Sequence, residues 1–182
     1  MTAAYAEHVG PWTEEDYLAL TDLTSRVELF DGSLYVTPAP TPQHQMISSE
    51  LYVALRPGAE LAGLHVLEAV NVRLRHGRMP IPDLVITEDI DYRDPVVPCD
   101  AVRLACEIVS PSNAATDRVL KMHYYAAAGI PWYLLVEQET GALHLYQLHG
   151  RQYREYATAK PGTVLTLTDP VTAAIDTAAL LP

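Results

Sequence analysis

Basic charge is scarce in this chain: 12 Lys and Arg stand against 23 Asp and Glu, for a formal net charge of −11 and a pI of about 4.9. Non-specific nucleic-acid binding draws its strength from cationic side chains that displace counterions, so this balance counts against it. A metal site built from carboxylates is not excluded, because its ligands add to the negative total. Cysteine is also sparse. Cys99 and Cys106 are the only two, too few for a disulfide framework, and a reducing cytoplasm is the expected compartment. Neither has a Cys or His at ligand spacing, which argues against structural zinc. No apolar run approaches the roughly 18 residues that span a bilayer. The opening MTAAYAEHVGPWTEEDY lacks the basic-then-apolar order of a signal peptide, so no membrane association is expected. Internal repeats and low-complexity tracts are missing, and the seven histidines form no HExxH pattern.

What is present is ordinary globular material. The chain has 182 residues, 49% hydrophobic and 19% charged, which suits a single domain over 1–182 with a real core. TEEDYLAL reads as a short helix capped by Thr13, with Glu14, Glu15 and Asp16 at its positive end. RVELF-DG-SLYVT reads as a hairpin turning at Asp31-Gly32. PAPTP is a stiff connection, and a helix is expected from about Gln43 to Glu60, ended or kinked by Pro57 and Gly58. LEAVNVRLRH alternates as a half-exposed strand, while PDLVIT and VRLACEIV read as central strands and EDIDYRDPVVPCD as a loop between them. SPSNAATDRVLKMHYYAAAG is the clearest helix, capped by Ser112 or Asn113 and closed by Gly129. WYLLVEQETGALHLYQLHGRQYREY gives two or three antiparallel strands, and the Ala/Thr-rich tail says little. This order suits an α/β (α+β) fold: a single mixed sheet with helices on its faces.

Three acidic residues sit inside or at the edge of apolar strands: Asp83, Glu107 and Glu28. A carboxylate there is costly unless paired or bound to a cation. Singly, each is read as a structural ion pair or an exposed strand end. Strands of one sheet lie about 4.8 Å apart, so together the three can converge on one ion. Hard oxygen donors with positions left to water suit Mg²⁺ or Mn²⁺. Lys121 shares a helical stripe with Asp117, Tyr124 and Ala128. It is either an exposed partner of Asp117 or a cation that offsets phosphate charge. Tyr124 and Tyr125 read as helix packing, and Arg73, Arg75, His76 and Arg78 as a solvated hairpin end.

VELFDGSLYVTPAPTPQHQMISSEL, IPDLVI, CEIVSPSNAATDRVLKMHYYAAAGIPWYLLV and ALHLYQLHGRQY together resemble the Uma2 family, a bacterial group within the PD-(D/E)XK restriction-endonuclease-like superfamily. The resemblance spans about residues 26–156. It implies that Pro82-Asp83 is the PD element, that Glu107 is the second acidic residue, and that Lys121 replaces a lysine displaced from the strand to the helix. It also implies that Glu28 contributes from the hairpin. His44 falls at a recurrent family position, and a helix-start hydrogen bond is an equal reading of it. Val109 stands where the superfamily pattern has lysine.

The resulting expectation is a Mg²⁺-dependent phosphodiesterase, most simply a DNA endonuclease. Asp83, Glu107 and the backbone of Ile108 hold the ion, and Lys121 stabilises developing charge. The alternative is a nuclease fold retained as a binding or assembly module, favoured by the acidic charge. An enzyme acting on a small phosphorylated ligand is a third reading. The resemblance also allows a homodimer.

Overall fold

A computed structural model of the protein describes residues 8–20, 26–109 and 116–181, with the side chains of 116–118 left out. Helix α1, Glu14–Leu18, starts in a capping box: the Thr13 hydroxyl accepts from the Asp16 N–H, and Asp16 accepts from the Thr13 N–H. Strands β1 (Arg26–Phe30) and β2 (Ser33–Thr37) form the expected hairpin, in register from Arg26 opposite Thr37 to Phe30 opposite Ser33. Asp31 and Gly32 turn it with φ of 50° and 84°, the left-handed pair that a two-residue hairpin turn requires.

Helix α2 runs Pro42–Leu61 with Thr41 as its cap, so it passes through Pro57 and Gly58 rather than ending there. Pro57 removes the N–H that would bond the Val53 carbonyl, but Val53 is exposed and water can take that carbonyl. Gly58 is kept for space. A Cβ there would lie 2.1 Å from the Thr172 carbonyl oxygen, an impossible approach. Gly58→Ala should therefore destabilise the fold by about 1–3 kcal/mol despite alanine's better helix propensity. A urea titration should show this loss, whereas a gain in stability would mean that this contact yields easily.

The remaining strands are β3 (His65–Glu68), β4 (Asn71–Arg73), β5 (Arg78–Met79), β6 (Leu84–Thr87), β7 (Val96–Pro98), β8 (Val102–Val109), β9 (Trp132–Glu137), β10 (Leu143–His149), β11 (Gln152–Ala159), β12 (Val164–Leu167) and β13 (Ala173–Asp176). A six-stranded mixed sheet in the order β11-β10-β9-β8-β6-β3 forms the centre, with β8 and β9 parallel. The mixed sheet flanked by helices is thus present, and three small sheets are added to it: β2-β1-β5, β12-β13 and β4-β7. The strand expected over LEAVNVRLRH is broken at Ala69, whose φ of 51° turns the chain out of the central sheet into the β4-β7 pair. The loop expected over EDIDYRDPVVPCD contains β7 and a short 3₁₀ turn at Cys99–Ala101.

Alternation along the central strands separates two cores. Leu84, Ile86, Leu104, Cys106, Ile108, Leu134 and Val136 face α2 through Ile47, Leu51 and Leu55. Val85, Ala105, Val109, Tyr133 and Leu135 face the opposite side, against Tyr125 and Ile130. The tail that carried no signal closes the first core, since Leu165, Leu167, Val171 and Ile175 are buried in it. The helix expected over SPSNAATDRVLKMHYYAAAG is described from Thr116: a π-helical segment, Thr116–Lys121, leads into α3, Met122–Ala128. Gly129 ends it at φ 84°. The Ser112 or Asn113 cap lies outside the described residues. No helix among the described residues is long and apolar enough to cross a membrane.

Candidate active site

The connector Pro80-Ile81-Pro82 leads into β6, and Ile81 carries its only backbone N–H. Glu28 on β1 accepts that N–H through Oε1 at 2.7 Å, which fixes the connector and the residue that follows it. Asp83 then joins the sheet by donating its N–H to the Cys106 carbonyl at 3.0 Å. Leu84 pairs with Cys106 at the end of the antiparallel β6–β8 ladder, which sets Asp83 against the Cys106–Ile108 stretch that carries Glu107. The Asp83 and Glu107 carboxylates therefore lie near one another within the central sheet, where β6 begins beside β8.

Glu28, Asp83, Glu107 and Lys121 are all buried, at 2%, 5%, 2% and 4% exposure. Lys121 Nζ lies 2.9 Å from Glu28 Oε1 and 3.1 Å from Glu107 Oε1. Tyr125, one helical turn on, donates its hydroxyl to the same Glu107 oxygen at 2.6 Å. Asp83 Oδ2 accepts the Ile108 N–H at 2.7 Å. Its Oδ1 takes Arg26 Nη1 at 2.5 Å and lies 3.2 Å from His44 Nε2. His44 also donates its backbone N–H to the Thr41 cap at 3.2 Å.

The charges set the titration of the group. Burial by itself would raise the Asp83 carboxyl, but the His44 hydrogen bond and the Arg26 charge outweigh it and hold the carboxyl well below the usual carboxylate range. Burial would lower the Arg26 guanidinium, and the charges of Asp83, Glu107 and Glu28 raise it instead. Burial first, and then Glu107, push the Tyr125 phenol well above its ordinary value, so it stays a donor.

A pH dependence follows from Asp83. A depressed folded-state pKa makes a contribution to stability that is complete above the unfolded value, about 3.9, and is lost as pH falls through the lower folded one. Wild type should thus lose stability steeply below about pH 4, and Asp83→Asn should show a shallower acid limb. Urea titrations across that range measure both slopes, and parallel slopes would remove Asp83 as the cause.

Of the site residues expected from sequence, Asp83, Glu107, Glu28, Lys121, His44 and the Ile108 backbone come together. The side chain of Asp117 lies outside the described set. The Lys121 stripe is displaced from the one expected. Tyr124 stacks under Arg78, whose guanidinium carbon is 3.8 Å from the ring centroid, and Tyr125 takes the place beside Lys121. Arg26 and Tyr125 were missed. Arg26 was detectable, since it stands two residues before Glu28 and alternate strand residues share a face. The Arg73, Arg75 and Arg78 cluster is engaged with Glu14 and Asp31.

The donor set suits a hard divalent cation in kind: Glu28, Asp83 and Glu107 are buried carboxylates, with Arg26 and His44 at Asp83 and Lys121 between Glu28 and Glu107. Among the described residues, no group of three or more His, Cys, Asp or Glu side chains is placed to hold an ion. Any ion would therefore rest on one or two carboxylates with backbone and water, a pattern that Mg²⁺ accepts.

The structure is similar to the crystal structure of a "putative nuclease belonging to DUF820" from Anabaena variabilis. The TM-score is 0.74 at 16% identity, covering 94% of this chain and all of that one. At that identity the likeness concerns the fold. Comparison with curated proteins gave no significant match. The model of the Uma2 family, described as "Putative restriction endonuclease", matches residues 14–179, from α1 to beyond β13, and the chain belongs to that family.

Proposed function

We propose that this chain is a Mg²⁺- or Mn²⁺-dependent phosphodiesterase of the restriction-endonuclease type, with DNA as its substrate. The observation that carries the reading is that Asp83 and Glu107 lie near one another where β6 meets β8, with the buried Lys121 at hydrogen-bond distance from Glu107. Asp83 and Glu107 are the residues that would hold the ion. The Ile108 N–H bonds Asp83 just before β6 begins at Leu84, and the carbonyl of the same residue would be a further oxygen donor. When bound, the ion would supply Lewis-acid polarisation of the phosphodiester and a more acidic attacking water. Lys121 contributes a compact positive charge beside the reacting phosphate, fixed in advance by Glu28 and Glu107. Glu28 orients Lys121 and the Ile81 connector at once, and Tyr125 holds Glu107 in one rotamer.

The reading as a binding or assembly module has its own support. The net charge is −11, and Arg73, Arg75 and Arg78 are committed to carboxylates of the protein itself. A cleavage assay separates the two. Supercoiled, linear and single-stranded DNA are incubated with Mg²⁺ and with Mn²⁺, using wild type and Glu107→Ala. Metal-dependent cutting by wild type alone supports the enzyme, whereas inert wild type on every form favours the module.

A further inference from the structure

Arg26 is the cation of this cluster whose hydrogen bonding does not close. Its Nη1 donates to Asp83, while Nε and Nη2 are buried and meet no acceptor among the described residues. Those two nitrogens form the edge with which a guanidinium grips an oxyanion side-on. Arg26 is thus held over Asp83 by charge more than by fit: Asp83, Glu107 and Glu28 all attract it, yet only one nitrogen finds a partner. Lys121 differs, since it bonds two carboxylates and is 4% exposed. The Arg26 side chain keeps 20% exposure and so has a route toward solvent.

The oxygen it occupies is the important one. Asp83 Oδ2 is tied to the Ile108 N–H, which leaves Oδ1 as the oxygen an incoming cation would take, and Oδ1 is where Arg26 sits at 2.5 Å, with the neighbouring His44 Nε2 at 3.2 Å. A guanidinium and a divalent cation cannot share that oxygen without strong mutual repulsion.

We propose that Arg26 is a displaceable counter-ion, which holds Asp83 in the metal-free protein and gives up Oδ1 when a divalent cation binds. The inference rests on the reading of Asp83 and Glu107 as metal ligands. Metal affinity is then set by competition: the site binds as if only the fraction with Arg26 withdrawn were competent. The vacated guanidinium turns with its Nε–Nη2 edge unfilled.

Two measurements test it. Calorimetric titration with Mn²⁺ should show Arg26→Gln binding more tightly than wild type, on the order of tenfold. In wild type, the Arg26 Nε–H resonance, assigned through its own side-chain carbons, should move during a Mg²⁺ titration with the midpoint found by calorimetry. If Arg26→Gln does not fold, the resonance decides alone. Measurable metal binding with a motionless Arg26 resonance, or with equal or weaker Mn²⁺ affinity in Arg26→Gln, overturns the inference and leaves the metal site standing. No Mn²⁺ or Mg²⁺ binding by wild type overturns both.

Discussion

Replacing Lys121 by alanine is expected to lower turnover of a phosphodiester substrate by a factor on the order of 10² to 10³, the loss typical of one transition-state donor. It should also cost about 3–5 kcal/mol of stability, because it strands two carboxylates in the interior. The two effects have one origin. Glu28 and Glu107 are each 2% exposed, and both lie within 3.1 Å of the Lys121 ammonium. Lys121→Met separates the contributions, since it keeps most of the side-chain length without the charge. It should lose as much stability as the alanine variant, because charge rather than volume is missing. Lys121→Arg should restore stability better than activity. A planar fork can reach both carboxylates, but it replaces the compact charge beside the phosphate with a wider one. Urea denaturation and single-turnover cleavage at saturating Mg²⁺ measure the two sides. An alanine variant that cuts at the wild-type rate would remove the cation from the mechanism.

Most of the framework could be read from local patterns. The DG turn, the Thr13 box and the continuous apolar runs PDLVIT and VRLACEIV each encode their structure within a few residues, and each element formed. The departures arise where a tertiary contact overrides the local signal. Pro57 and Gly58 are helix breakers in isolation, but at 57 the carbonyl left without its helix partner belongs to the exposed Val53, and at 58 the Thr172 backbone leaves room only for hydrogen. Ala69 gave no sign of a strand break, because a positive φ on alanine is imposed by the chain leaving one sheet for another. The tail was illegible because its alternation of Leu165, Leu167, Ala173 and Ile175 is short and diluted with alanine and threonine. The acidic residues of the site stood out because they interrupt apolar strands. Its partners were harder to see. Tyr125 looked like packing, because a tyrosine on an alanine-rich helix has the same local pattern whether its hydroxyl meets a carboxylate or not. Positions three and four residues after Lys121 share its helix face, so α-helical spacing admitted Tyr125 as readily as Tyr124, and only the Glu107 contact decides between them.

Glu107→Gln tests whether Glu107 is a ligand or only a counter-ion for Lys121. The amide keeps the volume and still accepts from Tyr125 through its carbonyl oxygen, so the 2.6 Å contact has a replacement. What disappears is a unit of negative charge beside Asp83. If Glu107 holds the ion, Mn²⁺ affinity should fall by at least the 10–100-fold that loss of an outer partner produces, about 1.4–2.7 kcal/mol, measured by calorimetry. Tyr125→Phe is the control. It removes one hydrogen bond to Glu107, costs about 1 kcal/mol of stability, and should change Mn²⁺ affinity far less than the glutamine does. The structural alternative predicts the reverse ordering of effects. Were Glu107 present only to neutralise Lys121, the glutamine would weaken stability strongly, since Lys121 would lose a buried carboxylate partner, while Mn²⁺ affinity would stay near wild type. Asp83 sharpens the comparison, because its charge is already offset by Arg26 at 2.5 Å. Glu107 is likewise offset by Lys121 at 3.1 Å, so neither carboxylate meets a divalent cation with its full charge, and removing the charge of Glu107 should register directly in the metal titration.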